Sequence, residues 1–213
     1  DVAQWLDRIR TEMEMTFARL EQALSPLPEP TRALAEQVLE LQGAASAQVA
    51  QVETLTPHAM KTRYHGDYHL GQVLVARDDV IIIDFEGEPS RSLAERRAKH
   101  SPLRDVVGML RSFDYAAHAA LRQATADGTG DRAVFLPHIN DWQRQVRAAF
   151  LDGYGAAAGD SAGYPADPDQ AGALLDLFTL EKACYELRYE LDNRPDWVEI
   201  PLGGLRELLS LPT

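Results

Sequence analysis

Cysteine is nearly absent: Cys184 is the only one in 213 residues. That excludes an intrachain disulfide and any zinc site built from several thiolates. It suits a reducing, cytoplasmic setting. Long apolar runs are absent too. The most apolar stretch, Val80 to Ile83, falls far short of the ~20 residues a membrane helix requires. The opening DVAQWLDRIR lacks the basic-then-apolar order of a secretory signal. The chain starts on Asp1 and not on methionine, as a processed chain or a piece of a longer one would. Basic residues are scarce, 21 against 33 acidic, for a net charge of −12. That argues against a nucleic-acid partner, whose phosphates need Lys and Arg. An anionic substrate would need a local cation, a metal or a helix N-terminus to hold it.

What is present is an ordinary globular composition, with 45% apolar and 25% charged residues. Trp5, Ile9, Met13, Phe17 and Leu20 recur at spacings of three and four, which predicts an amphipathic helix over 1–24. After the break SPLPEP, Thr31 reads as the N-cap of a second helix to about Gln51. The two make a helical hairpin over 1–59. Residues 60–90 change period. Gln72–Ala76 and Val80–Asp84 are apolar and β-branched around the turn Arg77-Asp78-Asp79, which predicts a β-hairpin. Met60 to Tyr64 reads as a short extended segment. Residues 87–101 read as irregular. From 91 to 213 the pattern is helical again, with helices expected from Pro102 to about Ala126, His138 to Ala157 and Asp167 to Asn193. A loop of Asp, Gly and Thr separates the first two, and a short last helix starts at Pro201. The expected fold is a single helical body with a small β-hairpin.

The chemistry-bearing residues crowd into one stretch, HGDYHLGQ followed by IIIDFEGEP. A hairpin brings its outer ends together. Asp67 and Gln72 lead into one strand and Asp84 leaves the other. Two carboxylates and an amide oxygen there form the kind of cluster hard cations prefer. Taken singly, an Asp at a turn is usually a cap or an Asx-turn. The pattern of the two halves is more specific. A loop Asp with an amide five residues on, and an Asp-Phe closing a strand, match the phosphoryl-transfer template.

These residues resemble a known family. HGDYHLGQ, IIIDFEGEPSRSLAERRAKHSPLRDVVGMLRSFDYAA and the ending EKACYELRYELDNRPDWVEIPLGGL are similar to the C-terminal lobe of bacterial maltokinases. Those belong with aminoglycoside phosphotransferases and, more remotely, protein kinases. The resemblance implies ATP as donor, Mg2+ as cofactor and a sugar acceptor, maltose first and glucosamine as the alternative. It implies Asp67 as catalytic base and Gln72 and Asp84 as metal ligands, with Glu86 as a further one. It implies that His65 and Asp105 support the catalytic loop without doing chemistry.

On the helix expected over 167–193, Lys182, Tyr185, Glu186 and Tyr189 share a stripe of about 100°. Leu180, Ala183, Leu187 and Leu191 mark an apolar face. The stripe reads either as tyrosines packed on a neighbouring helix or as a surface for sugar rings; the resemblance favours the sugar. Before residue 60 there is no G-x-G-x-x-G, no Walker sequence and no apolar strand ending in Lys. The expectation is therefore a C-terminal lobe whose N-terminal nucleotide-binding lobe lies elsewhere in the same protein, with a fused trehalose synthase as a further partner. A reading of another class is a non-catalytic interaction domain with a relic site.

Overall fold

The computed structural model describes residues 2–55, 58–89, 91–126, 128 and 130–210. They form two compact units, one from 58–171 and one from the two ends of the chain, 1–57 with 172–213. The expected Asp-Gly-Thr loop falls partly outside the described residues, at Asp127 and Thr129.

The unit made by the chain ends is helical. Helix α1 (Val2–Ala23) buries Leu6, Ile9, Met13, Phe17 and Leu20 along one stripe. Each such side chain contributes about 1.5–3 kcal/mol on leaving water. The second helix differs from expectation. It is two helices, α2 (Glu29–Glu40) and α3 (Gln42–Val52), hinged at Leu41. Thr31 is not the N-cap. Pro28 caps α2, Pro30 stands in its first turn, and the Thr31 hydroxyl donates to Glu199. Proline suits a first turn, where its missing N–H is no loss. Helix α7 (Pro168–Asn193) buries Leu174, Leu177, Phe178, Leu180, Ala183 and Leu187. It is tied to α1 by Arg188, which donates to the Glu12 carbonyl at 2.8 Å and to the Thr16 hydroxyl at 2.6 Å. Helix α8 (Glu199–Ser210) starts two residues before Pro201.

The unit from 58 to 171 carries the hairpin. Strand β1 (Val73–Ala76) pairs antiparallel with β2 (Asp79–Ile82), Val73 opposite Ile82 and Ala76 opposite Asp79. The turn is the two residues Arg77 and Asp78, with Arg77 at φ +59°; Asp79 already belongs to the strand. The extended segment expected at 60–64 makes one bridge, Thr62 to His100. Within the stretch expected to be irregular sits α4 (Leu93–Arg97), set by a capping box between Ser92 and Glu95. Helix α5 (Leu103–Thr125) buries nine residues and is the spine of this unit. Helix α6 (Arg132–Ala158) begins six residues earlier than expected. Asp131 caps it by accepting from the Ala133 N–H, and Pro137 lies inside it. It leans on α5 through Phe113, whose ring meets Trp142 and Phe150 edge-on.

Candidate active site

Segment 65–72 is fixed by what surrounds it. His65 is buried. Its Nε2 donates to the Ile83 carbonyl at 2.7 Å, and its Nδ1 accepts the Asp67 N–H at 3.3 Å. A carbonyl only accepts and an amide N–H only donates, so the ring is the Nε2–H tautomer. His65 thereby ties the loop before the hairpin to the residue that ends it. The Asp105 carboxylate accepts the His65 N–H at 2.6 Å and the Gly66 N–H at 2.9 Å. Burial pushes Asp105 above the usual carboxylate range, while those two N–H groups and the nearby His65 and Arg104 pull it back. Burial, and then the Asp105 charge, push the Tyr68 hydroxyl upward.

Two glycines let the loops meet. Gly66 has φ +85° and Gly87 φ +77°, values a side chain resists. A Cβ on Gly66 would stand 3.3 Å from the Gly87 Cα. Asp84 itself has φ +62°. Aspartate tolerates that conformation better than most residues, and strained backbone clusters at functional positions.

The sequence-derived site residues divide. Gln72 and Asp84, 12 apart in the chain, are brought together: the Gln72 amide donates to Asp84 Oδ2 at 3.1 Å. Asp67 is about three-quarters buried, with His69 Nε2 4.0 Å from its Oδ2. His69 Nδ1 accepts the Gly71 N–H at 3.0 Å, capping the 3-10 turn Leu70–Gln72 that presents Gln72. No contact joins the Glu86 carboxylate to Asp84. Glu86 is exposed, and its carbonyl accepts from Arg96 at 3.3 Å. Among the described residues no group of three His, Cys, Asp or Glu could hold a metal ion. Mg2+ does not require one, because it is commonly held by one or two protein oxygens plus substrate phosphates. The exposed Asp84 carboxylate fits that need; the Gln72 amide turns its nitrogen to Asp84, so only its oxygen would serve the ion.

Lys182, Tyr185, Glu186 and Tyr189 lie on α7, in the other unit. Lys182 Nζ stands 5.3 Å from the Tyr185 ring centre, and Tyr185 stacks on Tyr189 at 6.4 Å. The stack continues where the sequence reading stopped. Arg194 lies over Tyr189 at 5.4 Å and over Trp197 at 5.3 Å. Glu190, 1% exposed, holds that guanidinium with both oxygens. The i,i+4 pairing of Glu190 with Arg194 was the available signal; Pro195 hid it by marking a helix end. Glu186, unlike the tyrosines, is buried with the apolar face.

No protein-family model matches the chain. It is similar to glucosamine kinase of Streptacidiphilus jiangxiensis, 28% identical over 210 residues, which are 98% of this chain and 43% of that protein. Glucosamine kinase of Mycolicibacterium smegmatis is 30% identical over 147 residues, 68% of this chain and 34% of that protein. Among solved structures, glucosamine kinase in complex with glucosamine, ADP and inorganic phosphate superposes with a TM-score of 0.74 at 25% identity, over all of this chain and 45% of that one. A second crystal form of glucosamine kinase gives 0.73 over 46% of its chain. The chain thus shares the mainly helical fold of part of glucosamine kinase and spans less than half the length of these relatives. Among the described residues no helix is long and apolar enough to cross a membrane.

Proposed function

We propose that this chain is the catalytic lobe of an ATP-dependent sugar kinase, with glucosamine as the acceptor. The observation that carries the reading is the Gln72–Asp84 contact, with His69 standing between Gln72 and Asp67, in a chain 98% of which aligns with a glucosamine kinase. Glucosamine displaces maltose because both curated relatives and the solved complex bear its name.

Asp67 accepts the proton of the attacking sugar hydroxyl. The hydroxyl oxygen bonds to the γ-phosphorus as the bond to the β–γ bridging oxygen breaks, leaving ADP. Asp105 keeps the loop at the height this needs by holding two backbone N–H groups. Gln72 and Asp84 would hold Mg2+, which when bound neutralises phosphate charge. Glu86 completes that set only through a water or a moved side chain. Within their own unit, Lys182, Tyr185 and Tyr189 offer a surface on α7 suited to sugar C–H faces, while Glu186 lies buried behind it with the apolar face. We assign the nucleotide grip to sequence outside these residues, which span less than half the length of the relatives.

The test uses the complete natural protein with ATP and Mg2+, offered glucosamine or maltose, and follows sugar phosphate by 31P NMR. Glucosamine should be phosphorylated and maltose not. Asp67→Asn should lower turnover by about 10²–10⁴-fold. Undiminished turnover in that variant would remove Asp67 as the base.

A further inference from the structure

We propose that one face of α5, formed by Asp105, Gly108 and Ser112, seats the catalytic loop, and that Gly108 and Ser112 are positioning residues for Asp67 and Gln72. The proposal rests on the reading of Asp67 as base and Gln72 as a metal-holding group. The three residues stand at i, i+3 and i+7, within about 60° of one another around the helix. They meet the loop in the same order as it advances.

Asp105 takes the backbone N–H groups of His65 and Gly66. Ser112, two turns on, accepts the Leu70 N–H at 3.2 Å while donating its own hydrogen to the Met109 carbonyl at 2.7 Å. The hydroxyl hydrogen is thus spent on the helix, and a lone pair is turned to the loop. Leu70 opens the turn that presents Gln72, so this bond fixes where the turn begins.

Gly108 works by what it lacks. A Cβ there would stand 2.5 Å from the Tyr68 carbonyl oxygen and 3.9 Å from the Tyr68 nitrogen. Those are backbone atoms and cannot swing aside. Glycine is disfavoured inside a helix, and this close approach gives a reason for one in the second turn of α5. Asp67 is therefore bracketed, with Gly66 bonded to α5 on one side and Tyr68 resting on α5 on the other.

The experiment compares Gly108→Ala, Ser112→Ala and Ser112→Thr in the complete natural protein, by steady-state kinetics and amide hydrogen exchange. Gly108→Ala should lower kcat by about 10–100-fold through misplacement of the base, with KM for both substrates within about twofold. Ser112→Ala should lower kcat by about fivefold, the worth of one hydrogen bond, and Ser112→Thr should restore it. Exchange should quicken at residues 66–72 while α5 stays protected. Wild-type kcat in both alanine variants would overturn the proposal. So would a loss of kcat that tracks loosened protection along α5, which a merely structural role would give. Should Gly108→Ala not fold, the Ser112 pair carries the same test. Should the wild type phosphorylate no sugar, the functional reading fails by itself, and exchange decides the seating. Quickening confined to 66–72 upholds it, and unchanged exchange overturns it.

Discussion

Segment 64–88 and helix α7 both carry candidate site residues, and they hold them by opposite means. In 64–88 the holding is done by backbone. His65 and Asp105 grip amides and a carbonyl, and Gly66, Gly87 and Asp84 adopt positive φ. Its strands are apolar yet exposed, Val75 at 80% and Ile81 at 50%. In α7 the holding is done by side chains. A buried apolar face, a ring stack and the ion pair of Arg194 with buried Glu190 fix the helix. A site held by backbone is sensitive to one added methyl. A site held by packing is sensitive to one removed.

The largest expected effect separates chemistry from binding. Asp84→Asn keeps a residue that tolerates positive φ and removes the charge that would hold Mg2+. It should cost about 10²–10³-fold in kcat, the scale of one lost electrostatic stabiliser, with little change in thermal unfolding. Tyr189→Ala on α7 should instead raise KM for the sugar by about tenfold and leave kcat nearly unchanged, as for uniform binding. Equal splits in the two variants would erase the distinction drawn between the regions.

Next comes packing. Leu187 is fully buried on α7, and Leu187→Ala should lower stability by about 2–5 kcal/mol in urea unfolding. Val75→Ala in β1 should stay within about 0.5 kcal/mol. A large loss at Val75 would mean that the strand is covered after all.

Glycine then gives opposite signs in the two regions. Gly66→Ala forces a side chain into positive φ and should destabilise by about 1–2 kcal/mol. Gly172 lies in α7 with nothing near its missing Cβ. Gly172→Ala should stabilise by about 0.4–1 kcal/mol, by narrowing the unfolded ensemble. Like signs, read from urea midpoints, would refute the contrast.

What was legible in the sequence follows the same division. Wherever one physical signal dominated, the reading and the structure agree. The spacing of Ile9, Met13, Phe17 and Leu20 places α1, and the β-branched runs around Arg77-Asp78 place the hairpin. The hairpin ends bring Gln72 beside Asp84, while the placing of Asp105 under the loop comes from the family resemblance and not from a local signal. Where two signals competed, the reading took the wrong one. Pro137 masked the earlier cap at Asp131, and the prolines around Glu29 outweighed Thr31 as the start of α2. Helix α4 is five residues long, too short for a period to show, so only its capping box betrays it. Glu186 falls on the predicted stripe yet is buried, because a stripe of about 100° does not say which of its edges faces the core. Gly108 and Ser112 carry no local signal, since their roles depend on a loop some 40 residues earlier.

The smallest expected effect at neutral pH belongs to Cys184, and it appears only in alkali. Cys184 is fully buried on α7, and burial pushes its thiol from 9.0 up to about 12. The folded state therefore keeps its proton where the unfolded chain releases it. Below about pH 8 the two states bind the proton alike and the group has no slope. Above it the unfolded state binds fewer protons, so stability falls as pH rises toward 12. Lysines and tyrosines titrate there too, but the difference between wild type and Cys184→Ala isolates the thiol. The urea midpoint of the wild type should fall more steeply between pH 9 and 10.5 than that of the variant. Iodoacetamide at pH 8 should leave the folded thiol unmodified, because only the thiolate attacks. Modification at the unfolded rate would show that the α7 core opens as readily as the loops do, and the contrast between a region held by packing and one held by backbone would fail at its firmest point.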